Sequence, residues 1–200
     1  MTSDAFYQTV LDQASDTEAM LAAVKKLKES QDPQALPSLI RAFGFNNPTV
    51  GEAALAAVLE FGSVAVVPVL ENVDGYDYGA RAYSVRALAR LGDARALDFL
   101  LEAVRSDFAP SVRRAAVRGL GRMAASLAGE QPQQVLTQLS QSLSDGDWAI
   151  RYASICALSD LAAVGDPTLK AAAHNLLQQA TRDSEPLIQL RASVALQHPN

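Results

Sequence analysis

Chemistry-bearing residues are scarce in this chain, which has one cysteine, Cys156, and two well-separated histidines, His174 and His198. A single cysteine excludes an internal disulfide, and two distant histidines offer no metal-ligand spacing, so no metal site is expected. There is no glycine-rich phosphate loop, nucleophile elbow or helix-borne histidine pair, and motifs alone therefore identify no catalytic residue. No apolar run approaches the roughly 18 residues that span a bilayer, and the opening MTSDAFYQTVLDQ has neither the basic start nor the apolar middle of a secretory signal. A soluble, cytoplasmic protein is the expectation. Low-complexity tracts and polar linkers are missing too, and 200 residues with 49% hydrophobic content suffice for a large core. The whole chain, 1–200, is expected to fold as one domain.

What the chain has is repetition. The phrases GARAYSVRALARLG (79–92), SVRRAAVRGLG (111–121) and AIRYASICALSDL (149–161) repeat one helical pattern. Aligned from the leading residue to the closing apolar one, the copies run Gly51 to Val58, Arg81 to Leu88, Arg113 to Leu120, Arg151 to Leu158 and Gln189 to Leu196, at offsets of 30, 32, 38 and 38 residues. Units of this length cannot bury an apolar face alone and must stack on neighbours, which predicts an all-α helical-repeat solenoid.

Punctuation supports eleven or twelve helices and no strand. Asp32-Pro33, Asn47-Pro48, Ala109-Pro110, Gln131-Pro132, Asp166-Pro167 and Glu185-Pro186 each precede an apolar-periodic stretch, where proline suits a first helical turn. Ser15 with Glu18 reads as a capping box for 16–30, and Gly44, Gly62, Gly92 and Gly165 follow apolar stretches as helix-ending glycines do. The first helices of the pairs are predicted near 33–43, 64–73, 94–106, 132–143 and 167–182, and the phrase helices near 49–61, 79–91, 110–126, 148–163 and 186–197. An opening pair at 4–14 and 17–30 caps the array, so 1–30 is cap and 31–200 repeats. Ala57, Ala87, Gly119, Ala157 and Ala195 recur at one place in the phrase and predict a close packing seam. The leading Arg81, Arg113 and Arg151 recur once per repeat, the position of a structural ladder of ion pairs to acids of the neighbouring unit.

Charge is uneven. The net charge of −5 argues against a nucleic-acid partner, yet nine arginines face four acids between Arg81 and Arg122, giving that segment +5 and the remainder −10. Arg114, Arg118 and Arg122 are four apart and share a helix face. The alignment puts Ala82, Arg86 and Arg90 at the same places one repeat earlier, and Tyr152, Cys156 and Asp160 one repeat later. Glu52, Ala56 and Glu60, then Leu190, Val194 and His198, hold them in the outer repeats. A five-arginine patch flanked by an aromatic and a carboxylate is expected, either as an anionic-ligand site or as a solvated face paired with acids of the first helices.

Two turns stand ahead of the phrases: Asp74-Gly75-Tyr76-Asp77-Tyr78-Gly79, and Ser144-Asp145-Gly146-Asp147-Trp148 with the only tryptophan. Turn chemistry accounts for their glycines and aspartates but not for Tyr76, Tyr78 and Trp148. Aromatic rims over a cationic floor suit a flat, conjugated, acid-bearing ligand; the alternative for each aromatic is that it staples its turn to the next helix. Cys156 lies among cations without a His or Asp partner and is expected to be inert. Apolar residues at the two ends (Ala5, Phe6, Val10, Leu11; Leu187, Leu190, Val194, Leu196) are candidates for partner contact or for covering the terminal core.

The stretch DGYDYGARAYSVRALARLGD (74–93), with DFAPSVRRAAVRGLG (107–121) and DWAIRYA (147–153), resembles the E/F-type phycobilin lyases, most closely their shorter F-type (beta) subunits. The resemblance covers most of the chain. It implies a right-handed α-solenoid of about five to six HEAT-like helix pairs, from a cyanobacterium or red-lineage organism, that forms a heterodimer with an E-type subunit. Such pairs bind phycocyanobilin, a linear tetrapyrrole, as substrate rather than cofactor, and join it by a thioether to a cysteine of the phycocyanin alpha subunit. Relatives that also isomerise the bilin carry an adjacent His-Cys pair. This chain has none, so ligation alone is expected. On this reading the bilin contacts are Arg86, Arg90, Arg114, Arg118, Arg122, Tyr76, Asp77, Tyr78, Trp148, Tyr152 and Asp160. The alternatives are a related HEAT protein that binds or detaches bilins during phycobilisome turnover, and a non-enzymatic HEAT adaptor.

Overall fold

The computed structural model describes residues 3–73 and 76–197. Of the residues discussed above, Asp74, Gly75 and His198 lie outside these, as do the side chains of Ala5 and Phe6. Among the described residues there are twelve α-helices and no strand: α1 Ser3–Asp12, α2 Thr17–Glu29, α3 Leu36–Arg41, α4 Pro48–Glu60, α5 Val66–Glu71, α6 Tyr78–Leu91, α7 Leu97–Ser106, α8 Pro110–Arg122, α9 Gln131–Ser142, α10 Trp148–Val164, α11 Pro167–Ala180 and α12 Pro186–Gln197. None is long and apolar enough by itself to cross a membrane.

Local chemistry sets these boundaries. Asn47 caps α4 by accepting from the Thr49 and Val50 N–H groups, and Asp147 and Asp166 cap α10 and α11 in the same way. One cap differs from the sequence reading. The Asp16 carboxylate, not the Ser15 hydroxyl, accepts from Ala19 N at 2.8 Å, so Asp16 starts α2, the shorter reach to N3 winning over the expected box. Helices α3, α5 and α7 are each led in by a 3₁₀ turn (Pro33–Ala35, Gly62–Ala65, Ala94–Ala96), which shortens the predicted α-helical spans. Helix α8 stops at Arg122 rather than 126, because Gly119 and Gly121 in its last turns each cost about 1 kcal/mol of helix propensity relative to alanine.

The chain divides into two compact units, residues up to Leu91 and residues from Gly92. In the first, α2 packs on α4 and α4 on α6, backed by α1, α3 and α5. In the second, α8 packs on α10 and α10 on α12, backed by α7, α9 and α11. Each unit is therefore a stack of three helix pairs with its own core. Leu27, Leu36, Leu39, Phe43, Leu55 and Leu88 are fully buried in the first, and Leu100, Leu120, Met123, Leu139, Ile150 and Ile155 in the second. Burying each such side chain stabilises by about 1.5–3 kcal/mol.

The helices of each row come close because glycine stands where they cross. A Cβ on Gly51 would lie 2.6 Å from the Tyr83 ring, and one on Gly121 would lie 2.8 Å from the Ala157 Cα. The second approach fixes how α10 lies against the arginine-bearing helix α8.

Candidate functional site

Two rows of arginines with different surroundings emerge from this packing. The first contains the leading arginines. In the second unit Arg113 forks onto Asp145, Nε to Oδ2 at 3.0 Å and Nη2 to Oδ1 at 3.2 Å, and its Nη1 donates to the Asp107 and Phe108 carbonyls. Arg151 forks onto Asp183 at 2.8 and 2.9 Å and donates to the Asp145 carbonyl. Gln189 closes the row by donating to the Asp183 carbonyl at 2.6 Å. Both members of the Arg151–Asp183 pair keep only 12% of their side-chain surface. The Arg151 guanidinium holds the Asp183 carboxyl below the usual carboxylate range. Burial alone would raise the Asp145 carboxyl, but Arg113 and the Asp147 N–H outweigh it and the net shift is downward. In the first unit, the Arg81 guanidinium lies 5.7 Å from the centre of the Tyr78 ring.

The second row is the stripe. In the first unit Arg86 is matched and Arg90 is not. Arg86 of α6 makes a fork with Glu52 of α4 at 2.7 and 2.9 Å, and its guanidinium lies 5.0 Å from the Tyr83 ring centroid. Tyr83 is itself stacked on Phe43, centroids 5.6 Å apart, and donates to the Pro48 carbonyl. Hydrogen bonding from Arg86 holds the Glu52 carboxyl below its ordinary value. Glu60 pairs with Lys28 at 2.7 Å. The acid that takes up Arg86 thus comes from α4, a phrase helix, not from the first helices of the pairs. Arg90 is exposed near the end of α6.

In the second unit the stripe is unmatched. Arg114, Arg118 and Arg122 follow one another up α8, and among the described residues none of them makes an ion pair or side-chain hydrogen bond. On the adjacent helix α10, Tyr152 and Cys156 are half-buried, and Asp160 keeps an exposed side while its carboxyl lies over Gly121. Partial burial raises the Asp160 carboxyl above its ordinary value, with Arg191 and Arg122 pulling the other way. Arg191 of α12 donates from Nε to Cys156 Sγ at 3.4 Å. Between α10 and α12 a groove of about 470 Å³ is lined by Tyr152, Ser159, Leu187, Leu190, Arg191, Val194 and Ala195.

The rim aromatics are exposed. Tyr76 is fully so, and Tyr78 and Trp148 are about half so. Asp77 caps α6, its carboxylate accepting from Ala80 N at 2.8 Å, which commits one oxygen to the turn. Phe108, also exposed, was not singled out by the sequence reading; counted back from the leading arginines it occupies the place of Tyr76, as Trp148 occupies that of Tyr78. Two more residues escaped notice. Tyr83 and Arg191 stand at one register position where the other repeats carry Ala53, Ala115 and Ala153, and that departure from alanine was the available signal.

A family model for HEAT repeats matches residues 73–128 and 110–197. The chain is 41% identical over 188 residues to the phycocyanobilin lyase subunit beta of Nostoc sp. PCC 7120, spanning 91% of this chain and 93% of that protein. It is 39% identical over 202 residues to the phycocyanobilin lyase subunit beta of Thermosynechococcus vestitus, spanning 96% and 93%. Among solved structures it is similar to a chain of the complex of CpcE and CpcF of phycocyanin lyase from Nostoc sp. PCC7120, at 42% identity and a TM-score of 0.75, covering 82% of this chain and 99% of that one.

Proposed function

The chain belongs to the E/F-type phycobilin lyases, and we propose that it is the F-type (beta) subunit of a heterodimer that joins phycocyanobilin by a thioether to a cysteine of the phycocyanin alpha subunit. The observation that carries this reading is identity of 41% with a lyase subunit, running over nine-tenths of both chains. An E-type subunit is the proposed partner, as the CpcE–CpcF complex of the similar structure suggests. Ligation proceeds without isomerisation, since the sequence has no adjacent His-Cys pair.

The chemistry asks little bond-making of this subunit. The acceptor thiol adds to the exocyclic ethylidene of the bilin's first ring: a carbon–sulfur bond forms, the carbon–carbon double bond is consumed, and the thiol proton ends on the pigment. Nothing leaves and no oxidant is needed. The lyase contributes position, holding one extended pigment geometry before one cysteine and suppressing misdirected addition.

The bilin carries two propionates, and Arg114, Arg118 and Arg122 are the cations with no acid of their own to receive them. In the first unit Arg90 is the stripe's exposed cation, while Arg86 is held by Glu52. Within the second unit Trp148 supplies stacking surface, and Tyr152 and Asp160 a ring face and an acceptor for pyrrole N–H groups.

The test is co-expression with an E-type subunit, phycocyanobilin and the apo alpha subunit, followed by acid-urea denaturation and zinc fluorescence. Pigment on a defined alpha-subunit cysteine only when both lyase chains are present is the expected result. Pigment bound but never attached would instead favour a carrier or detachment role, and no pigment interaction would leave an adaptor.

A further inference from the structure

The groove between α10 and α12 has a composition that covering a terminal core does not explain. Helix α12 buries Ile188, Ala192 and Ala195 against its neighbours, which seals the core, while Leu187, Leu190 and Val194 remain on the outside, Leu190 with 61% of its surface exposed. These side chains form one wall and Tyr152 forms another. Ser159 has no proton to offer the groove, because its hydroxyl donates to the Ile155 carbonyl at 3.0 Å.

A cation stands beside this apolar trough. Arg191 gives Nε to Cys156 Sγ, a weak acceptor, and among the described residues makes no ion pair. The nearby carboxyl, Asp160, lies between two guanidiniums, Arg191 and Arg122, and forms an ion pair with neither. The charge balance along this edge is positive, and the complement of an apolar, aromatic-walled trough with a positive edge is a flat, largely apolar molecule that carries a carboxylate. At about 470 Å³ the groove is at the small end of the roughly 300–1,000 Å³ of small-molecule sites, so it takes part of a tetrapyrrole rather than the whole.

We propose that the α10–α12 groove is a pigment subsite in which one end of the bilin packs against Tyr152, Leu190 and Val194 and one propionate binds Arg191. This rests on the bilin reading above. It moves Leu190 and Val194 from partner contact to ligand contact, and makes Arg191 a second carboxylate anchor distinct from the α8 stripe.

The experiment is a visible-absorption titration of the full chain co-purified with its E-type subunit, using phycocyanobilin and its dimethyl ester. Wild type binds the diacid more tightly than the ester. Arg191→Gln weakens the diacid about tenfold, the scale of one charge-assisted pair, and leaves the ester nearly unchanged, while Arg191→Lys restores part of the discrimination. A merely structural role would lower both ligands alike and would not respond to lysine. Leu190→Asp, at a surface position that folding tolerates, weakens both ligands. Two results would overturn the subsite: pigment affinity unchanged in Arg191→Gln and Leu190→Asp, or loss of E-type subunit co-purification in those variants with pigment affinity of the free chain intact, which makes the groove a subunit interface. The lyase reading fails separately. Groove-dependent binding with no transfer to the alpha subunit removes the lyase and keeps the groove, whereas wild-type transfer indifferent to both substitutions does the reverse.

Discussion

Helices α6 and α8 carry arginines at the same places of the repeat but in different company. On α6, Arg86 is clamped by the Glu52 fork above the Tyr83 ring. On α8, Arg114, Arg118 and Arg122 have no acid within the described residues, although their neighbour Arg113 is fully engaged by Asp145. One residue of helical rotation, about 100°, separates a charge built into the scaffold from a charge left over. The comparison teaches that an arginine's role in a repeat array is set by whether the adjoining repeat supplies its carboxylate.

The sharpest way to test that contrast is to remove a clamped arginine from each unit. Arg151→Ala leaves Asp183 nine-tenths covered without its fork and is expected to cost about 3 kcal/mol in urea unfolding, the scale of breaking a buried pair. Arg86→Ala breaks a pair whose members keep 37% and 54% of their side-chain surface, and is expected to cost about 1 kcal/mol or less. Equal losses would erase the distinction between the two seams.

The glycines sharpen it next. Alanine at Gly121 meets the Ala157 Cα, so a whole helix must shift, and a net loss of about 2 kcal/mol is expected after the helix-propensity gain. Alanine at Gly51 meets only the Tyr83 ring, which can tilt, and about 1 kcal/mol is expected. Thermal melting of the two variants ranks the seams.

A smaller effect follows from pH. The folded-state carboxyls of Asp183 and Glu52 are depressed by their arginines, so the stability these pairs supply is present above the ordinary carboxylate range and is lost as pH falls through their lowered values. Asp160 is displaced upward, by burial first, so its charge costs stability at neutral pH and protonation relieves that cost as the pH drops toward the ordinary value. Asp160→Asn is therefore expected to raise the urea midpoint at pH 7 and to converge on wild type by about pH 3, whereas Arg151→Ala flattens the acid limb. A constant offset for Asp160→Asn across that range would contradict its assignment.

Much of the architecture was legible because the repeat states it five times. Proline at the first turn, small residues at the seam and the spacing of the arginines are backbone-level requirements, and they placed all twelve helices and put Arg113 and Arg151 in the row where acids of the next repeat meet them. What escaped depends on side-chain reach. Asp145 and Asp183 sit in turns 32 residues beyond their arginines, and periodicity does not specify which turn acid a fork will choose. Asp16 displaced Ser15 as a cap by a difference of one residue in approach. Tyr83 and Arg191 replace alanine at one register position and need the packed neighbours, Phe43 and Cys156, to reveal what they do. Whether the aromatic turns receive a ligand is likewise a property of surfaces, about which a helical repeat is silent.

The α8 stripe carries the smallest expected change in stability and the most direct consequence for function. Replacing Arg114, Arg118 and Arg122 together by glutamine removes no ion pair present in the fold, and glutamine matches arginine in helix propensity. It also removes two like-charge neighbours at four-residue spacing, each worth a few tenths of a kcal/mol against the helix. Unfolding is therefore expected to be unchanged or up to about 0.5 kcal/mol harder, while pigment transfer to the alpha subunit falls tenfold or more as the propionates lose their partners. The companion substitution Glu52→Gln frees Arg86 from its fork and is expected to cost about 1 kcal/mol or less in the same urea titration. If the triple variant unfolds as readily as Arg151→Ala, the stripe is a second ladder, its acids lie where the isolated chain does not display them, and the arginines of α6 and α8 are not two kinds after all.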